Sequence, residues 1–157
     1  MAIKRLAIYD MDGTLVDSTH RYRTMQKDGR TVIDLDHWRA NQPLAMLDKL
    51  LPMAEQYRAD LADPSCYVII ATARVMNAPD WQYVNEILGV PDYFICRKDG
   101  DTRGGAALKI LGLKKFFNLK NFRNAAAVFY EDNASYLKEV CDHFRIRGVY
   151  VPSNQGH

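Results

Sequence analysis

Four carboxylates in this sequence fall in two pairs, each directly after an apolar run. Asp10 and Asp12 follow Lys4–Tyr9 (KRLAIY), and Glu131 and Asp132 follow Ala125–Tyr130 (AAAVFY). A hydroxyl and a guanidinium, Thr72 and Arg74, follow a third run, Tyr67–Ala71 (YVIIA). Paired acids of this kind do two jobs. They hold a hard divalent cation such as Mg²⁺, which takes oxygen ligands, and one of them can attack an electrophile as a nucleophile. Gathered without a cation, the four would oppose one another's ionisation. The set therefore calls for a metal and a positive side chain. Gly13, after the first pair, permits a tight turn and close backbone approach of a phosphate.

The elements that must position these residues are legible as alternating patterns. Lys4–Tyr9, Tyr67–Ala71, Tyr93–Cys96, Ala125–Tyr130 and Ile146–Val151 are short, continuous apolar runs, the mark of strands buried on both faces. Between them lie helical stretches. Leu44, Leu47, Leu50, Leu51, Ala54, Tyr57 and Leu61 share one face at a spacing of 3.6, with Pro52 kinking or splitting the helix. Pro79 opens a helix that ends at Gly89, Ala106–Leu111 is helical up to Gly112, and Asn133–Phe144 forms the last helix. The alternation predicts an α/β, Rossmann-like, doubly wound parallel sheet. Ligands of such sheets bind beyond the carboxyl ends of the strands, where the candidate residues stand.

With 157 residues, 48% hydrophobic and 25% charged, the chain has the size and balance of one globular domain, 1–157. No apolar run approaches the ~18–20 residues of a membrane span, and Met1–Leu6 lacks a signal-peptide core. Cys66, Cys96 and Cys141 form no CxxC pair. That speaks against a disulfide framework or zinc ribbon and for a reducing, cytoplasmic setting. The formal net charge of +2 predicts no strongly basic nucleic-acid binder, but the charge is uneven. Ser18–Arg30 carries +3 and Arg103–Arg123 carries +6 with no acid, so two basic segments sit on a net-negative body. Such segments suit an anionic partner, the alternative being a solvated helix face. Phe116, Phe117 and Phe122 interleave with Lys114, Lys115, Lys120 and Arg123. They either stack bases or, as buried phenylalanine does by default, fill core.

Asp10-Met11-Asp12-Gly13-Thr14-Leu15-Val16-Asp17 after an apolar strand resembles the first motif of the haloacid dehalogenase superfamily. Thr72 matches its second motif and Glu131-Asp132 its fourth. The two-acid form of the first motif is similar to that of the phosphatase branch. The resemblance implies that Asp10 attacks phosphorus to form an aspartyl-phosphate, and that Asp12 protonates the leaving oxygen and then activates water. It implies Mg²⁺ held by Asp10, the Asp12 backbone carbonyl and Asp132, with Thr72 donating to a phosphoryl oxygen. The third-motif lysine has several candidates, Lys98, Lys109, Lys114 and Lys115. Lys109 is preferred because Ala106, Ala107, Leu108, Ile110 and Leu111 surround it, with Glu131 as its expected ionic partner.

Gly100-Asp101-Thr102-Arg103 followed by Lys109 resembles more narrowly the 3′-phosphatase domain of phage-type polynucleotide kinase/phosphatases. Arg74 lies two residues past Thr72, and Arg21 lies nine past Asp12. The resemblance implies that Arg21, Arg74 and Arg103 bind substrate, though Thr72 stands for serine and Glu131 for aspartate. No GxxxxGK[ST] kinase loop occurs. Ser18–Asp36 has room for a flap only, so the site is expected to be cap-less and open, which suits a nucleic-acid end. The expected function is a Mg²⁺-dependent phosphomonoesterase acting on 3′-phosphates of nucleic-acid ends. The alternatives are a phosphatase for free nucleotides or other small phosphate esters, and a nucleic-acid-binding accessory protein with little turnover. No membrane partner is expected, and the oligomeric state is open.

Overall fold

The computed structural model describes residues 2–153. In chain order the elements are β1 Arg5–Tyr9, β2 Val16–Asp17, β3 Thr24–Lys27, β4 Arg30–Ile33, α1 Leu35–Ala40 and β5 Lys49–Leu50. There follow α2 Met53–Ala62, β6 Cys66–Val75, α3 Ala78–Tyr83, β7 Tyr93–Arg97, α4 Gly105–Asn118, β8 Ala126–Glu131, α5 Ala134–Phe144 and β9 Arg147–Tyr150. Five strands form one sheet in the order β7-β6-β1-β8-β9, and every pair in it is parallel. This is the expected doubly wound α/β architecture. No helix among the described residues is long and apolar enough to cross a membrane.

Alternating side chains of β1 serve opposite faces, as strand geometry requires. Ala7 and Tyr9 join Tyr57, Val68, Tyr83 and Leu88 beneath α2 and α3. Leu6 and Ile8 join Ile69, Leu113, Phe129 and Val140 beneath α4 and α5. Ile8, Ile69 and Phe129 have no exposed surface, and each stabilises the sheet by about 1.5–3 kcal/mol through burial. Because β1 is central and covered twice, its C-terminal end is a fixed point. Tyr9 pairs with Ile70 of β6 and Tyr130 of β8. That register sets Asp10 level with the end of β8 at Glu131 and with Ala71 of β6, just before Thr72.

Three local expectations are corrected. The helix read across Leu44–Leu61 is a 3₁₀ turn (Gln42–Leu47), the short β5 and then α2. Pro43 and Pro52 break the regular hydrogen bonding, and β5 pairs with β2 instead. Gly112 does not end a helix, for α4 runs through it to Asn118. A Cβ there would lie 2.6 Å from Ile95 Cγ2, so the glycine lets α4 approach β7. Thr72 and Arg74 lie inside β6, where the pairing with β7 slips between Ala71 and Val75.

The stretch read as a flap is a β-hairpin, β3–β4, turned at Asp28 (φ 53°) and Gly29 (φ 74°), the left-handed pair that two-residue hairpins favour. It leads into α1, whose first turn is capped by the Asp34 carboxylate accepting from the His37 N–H at 3.1 Å.

Candidate active site

Asp10 follows β1 directly and is 6% exposed. Its Oδ1 accepts from Lys109 Nζ at 2.8 Å and its Oδ2 from Thr14 Oγ1 at 3.1 Å. Lys109 projects from α4, is 1% exposed, and donates also to Glu131 Oε1 at 2.6 Å. The structure therefore brings Lys109, rather than Lys98, Lys114 or Lys115, to Asp10 and Glu131. Burial works against the ionised Asp10, but Lys109 and the surrounding hydrogen bonds outweigh it and hold the carboxyl below its usual range. Burial likewise works against the ammonium, and Asp10 and Glu131 overcome it, so Lys109 stays charged well above its ordinary limit. Glu131 is pushed up, first by burial and then by the Asp10 charge. Its Oε2 accepts from the Asp132 N–H at 3.0 Å.

Asp12 faces the other way. Its carboxylate accepts from Arg74 Nε at 2.9 Å and Nη2 at 2.7 Å, and from Ser18 Oγ at 2.7 Å. Gly13, directly after Asp12, takes φ 80°, a left-handed turn open to glycine without steric cost. Thr72 is 1% exposed; its Oγ1 accepts from the Arg74 N–H at 3.3 Å, which leaves the hydroxyl proton to donate.

The three arginines read as substrate contacts have different places. Arg21 has no exposed surface; its Nε and Nη2 reach Asp48 at 2.9 Å each, and Nη2 reaches Asp80 at 3.1 Å. Arg74 Nη1 donates to Asp80 at 2.6 Å. Arg103 is exposed and paired with Asp101 at 2.8 Å. Two of the three are thus committed to carboxylates behind Asp12. Asp48 and Asp80 carry no motif in the sequence and were missed. The one local signal is that Asp80 is three residues past Asn77, and its carboxylate accepts from the Asn77 N–H at 3.0 Å in a capping box. Trp38 of α1 lies over the Arg21 guanidinium at 4.3 Å and that of Arg74 at 5.6 Å. Its ring is 6.5 Å from Tyr22. The Tyr22 phenol is pushed up by burial and then by Asp12, Asp17 and Asp132, which sets it at the edge of the acidic group.

Phe116 is core, 2% exposed and ringed by Tyr67, Tyr93 and Phe122. The +6 segment does not all face the strand ends either. α4 runs back along the sheet, so Lys109 lies at the acids, while Arg123 lies beside Leu6 and Ala125 at the opposite end.

The residues present fit a divalent cation. Carboxylate oxygens of Asp10, Glu131 and Asp132 lie within 4.8 Å of one another, and among the described residues Lys109 is the one ammonium paired with Asp10 and Glu131. Asp132 is pushed up to about 6, by burial and by Asp10, which is the cost of crowding that a hard cation removes. Since Glu131 is committed to Lys109, Asp10 and Asp132 are the carboxylates left to hold the ion.

Asp10, paired with Lys109 at the end of β1, has Asp12 two residues on and the Thr72 hydroxyl of β6 beside it in the sheet's register. Together with the doubly wound sheet, these define a phosphatase-type domain of the haloacid dehalogenase fold. The chain belongs to the bacteriophage T5 5′-deoxynucleotidase family, whose model matches residues 1–148. It is 33% identical over 87 residues to the 5′-deoxynucleotidase of Escherichia phage T5, a match covering 54% of this chain and 35% of that one. The match thus spans about a third of that relative. Among solved structures, a chain of the Pnkp1/Rnl/Hen1 RNA repair complex is similar over 96% of this chain and 43% of its own, with TM-score 0.66 and 18% identity. The HAD domain of the effector Lem4 from Legionella pneumophila is similar over 98% of this chain and 89% of its own, with TM-score 0.62 and 12% identity.

Proposed function

We propose that the chain is a phosphoric monoester hydrolase acting on deoxynucleoside monophosphates, with Mg²⁺ held by Asp10 and Asp132 and by the Asp12 backbone carbonyl. One observation carries the reading: Asp10 is kept ionised by Lys109 at 2.8 Å while Asp12, two residues on, is bound to a different cation, Arg74. Separate cations on separate elements hold the two acids apart, so the nucleophile and the proton-transfer group are different carboxylates.

The Asp10 carboxylate attacks phosphorus and the ester bond to the leaving oxygen breaks. Asp12 supplies the proton that this oxygen needs and recovers one from the water that later cleaves the aspartyl-phosphate. Thr72 donates to a phosphoryl oxygen, and Lys109 offsets charge on the phosphoryl group, the term that dominates such reactions. When bound, Mg²⁺ supplies further neutralisation of that charge. The leaving group emerges on the Asp12 side, where Trp38 and Tyr22 offer ring faces. Aromatic faces there suit a nucleoside better than a bare sugar, which agrees with the family.

A second reading is favoured by the flap, a hairpin and one short helix rather than a cap: a site open enough for a polynucleotide 3′-phosphate. Phosphate release is to be compared on deoxynucleoside 5′-monophosphates, 3′-monophosphates and a 3′-phosphorylated oligonucleotide, with and without Mg²⁺. Faster turnover of the mononucleotides supports the first reading, and faster turnover of the oligonucleotide replaces it with the second. Asp10→Asn should abolish release, a loss of about 10⁴-fold or more. Unchanged release by that variant would overturn both.

A further inference from the structure

A cavity of about 310 Å³ opens at the edge of the sheet opposite the acids. β1 alone separates the two ends by roughly 17 Å. Its walls bring together Arg123, Arg145 and Arg147 around the half-buried rings of Phe117 and Phe122 and the side chain of Ile146. No acid lines it. None of the three guanidiniums has a hydrogen-bond or ion-pair partner among the described residues. Asp142, on the last turn of α5, is paired with Lys138 at 2.6 Å instead.

The three guanidiniums are exposed and line one apolar-floored cavity with no carboxylate among them, a local positive field that suits an anion. The buried arginines, Arg21 and Arg74, are by contrast already neutralised by carboxylates, which leaves the cavity cluster as the exposed one free for a ligand. The arrangement is also held in place. Arg145 caps α5 in a left-handed conformation, φ 56° and ψ 50°, which a non-glycine residue adopts at a cost. Arg147 opens β9, and Arg123 follows the 3₁₀ turn Lys120–Phe122. Phe117 is stacked on Phe144, with centroids 4.2 Å apart, so the apolar wall is rigid.

We infer that this cavity is a second anion site, separate from the catalytic one, that takes a nucleoside phosphate. The arginines bind its phosphate oxygens, which guanidinium matches in shape and charge, and the phenylalanine edge receives its base. Free nucleotide and a single nucleic-acid strand share this chemistry. The inference does not depend on turnover at Asp10.

The test measures binding by fluorescence anisotropy of a labelled deoxyoligonucleotide with hydroxyls at both ends, which offers no monoester to the catalytic pocket. dATP serves as competitor, and as direct ligand in calorimetry. Binding of either probe supports the site. Preference for dATP assigns it to free nucleotide, and preference for the oligonucleotide assigns it to a strand. With three phosphate contacts, the strand's log K should fall against log salt with a slope near −2, about 0.7 per contact.

Arg145→Gly with Arg147→Gln should weaken binding at least tenfold. Glycine suits the left-handed position, so the variant keeps its fold, as thermal melting would verify. Lys114→Gln, removing one exposed charge elsewhere on α4, should change little. Binding of neither probe, equal binding by the arginine variant, or an equal loss in Lys114→Gln would overturn the site. All three outcomes are readable even if the chain proves not to hydrolyse any phosphate.

Discussion

Lys109→Met tests whether the lysine is the keystone of the acidic site. Methionine retains the apolar stem among the residues of α4 but removes the ammonium 2.8 Å from Asp10 and 2.6 Å from Glu131. Both acids stay, at 6% and 1% exposure, with no other lysine or arginine paired to them. Removing one partner of a buried ion pair costs about 3–5 kcal/mol, because the remaining charge is left unmatched. For a domain of this length each kcal/mol moves the melting midpoint by about 2–4 °C, so a fall of roughly 6–20 °C is expected. Replacing Glu131 as well leaves only Asp10 unmatched, a smaller cost than leaving both acids so. Lys109→Met/Glu131→Gln should therefore be more stable than the sum of the single variants, by about 2 kcal/mol of coupling. The assay is urea unfolding of the four proteins with divalent ions chelated. A single variant within about 1 kcal/mol of the parent, or a double variant that merely adds its parts, would refute the keystone role.

Mg²⁺ at a hundred times its dissociation constant should stabilise the folded chain by about 2.7 kcal/mol, read as a rise in melting midpoint. Asp132→Asn should lose most of that rise, and an undiminished rise would place the ion elsewhere. Gly112→Ala sets a methyl 2.6 Å from Ile95 Cγ2 and should destabilise by about 1–3 kcal/mol, measurable by urea unfolding. The Cys66 thiol is pushed up to about 11 by burial and then by Asp60. At pH 8 only about one molecule in a thousand would carry its thiolate, so labelling of Cys66 by a thiol reagent should be slow until the chain unfolds. Rapid labelling in the folded state would contradict that burial.

Strand ends were legible because a strand buried on both faces has a continuous apolar sequence and ends abruptly in polar residues. Asp10 and Glu131 could be aligned for that reason, while Thr72 lies within β6, which runs on to Val75 past the apolar run. Lys109 was legible through Ala106 and Leu108, which are buried with it, although Ala107 and Leu111 of the same apolar run are exposed. Asp48 and Asp80 were not. They meet Arg21 from 27 and 59 residues away, and each has an ordinary local setting, one after a 3₁₀ turn and one inside a capping box. Nothing in spacing or composition distinguishes a carboxylate that caps a helix from one that also crosses the fold to a guanidinium. Gly112 misled for a related reason. Glycine after an apolar helical run is the usual stop signal, and the close approach of Ile95 that requires it here comes from a distant strand.

The ionic layer behind Asp12 changes how the flap relates to the chemistry. Arg74 holds Asp12 with two nitrogens and reaches Asp80 with a third. Asp80 also takes Arg21, which holds Asp48, and Asp48 takes His20 at 2.7 Å. Trp38 closes this layer from above, across both guanidiniums. Arg21 and Trp38 come from the segment between β1 and α2, so the flap is packed into the support of Asp12 and does not hang free over it. Such a layer fixes the carboxylate's orientation while its partners keep one another charged, and low local dielectric strengthens each contact. Asp10 has a separate support, Lys109 and Glu131, from α4 and β8. The two acids are neighbours in sequence but anchored to opposite halves of the molecule. A disturbance of the flap should therefore reach proton transfer at Asp12 while leaving the charge state of Asp10 in place.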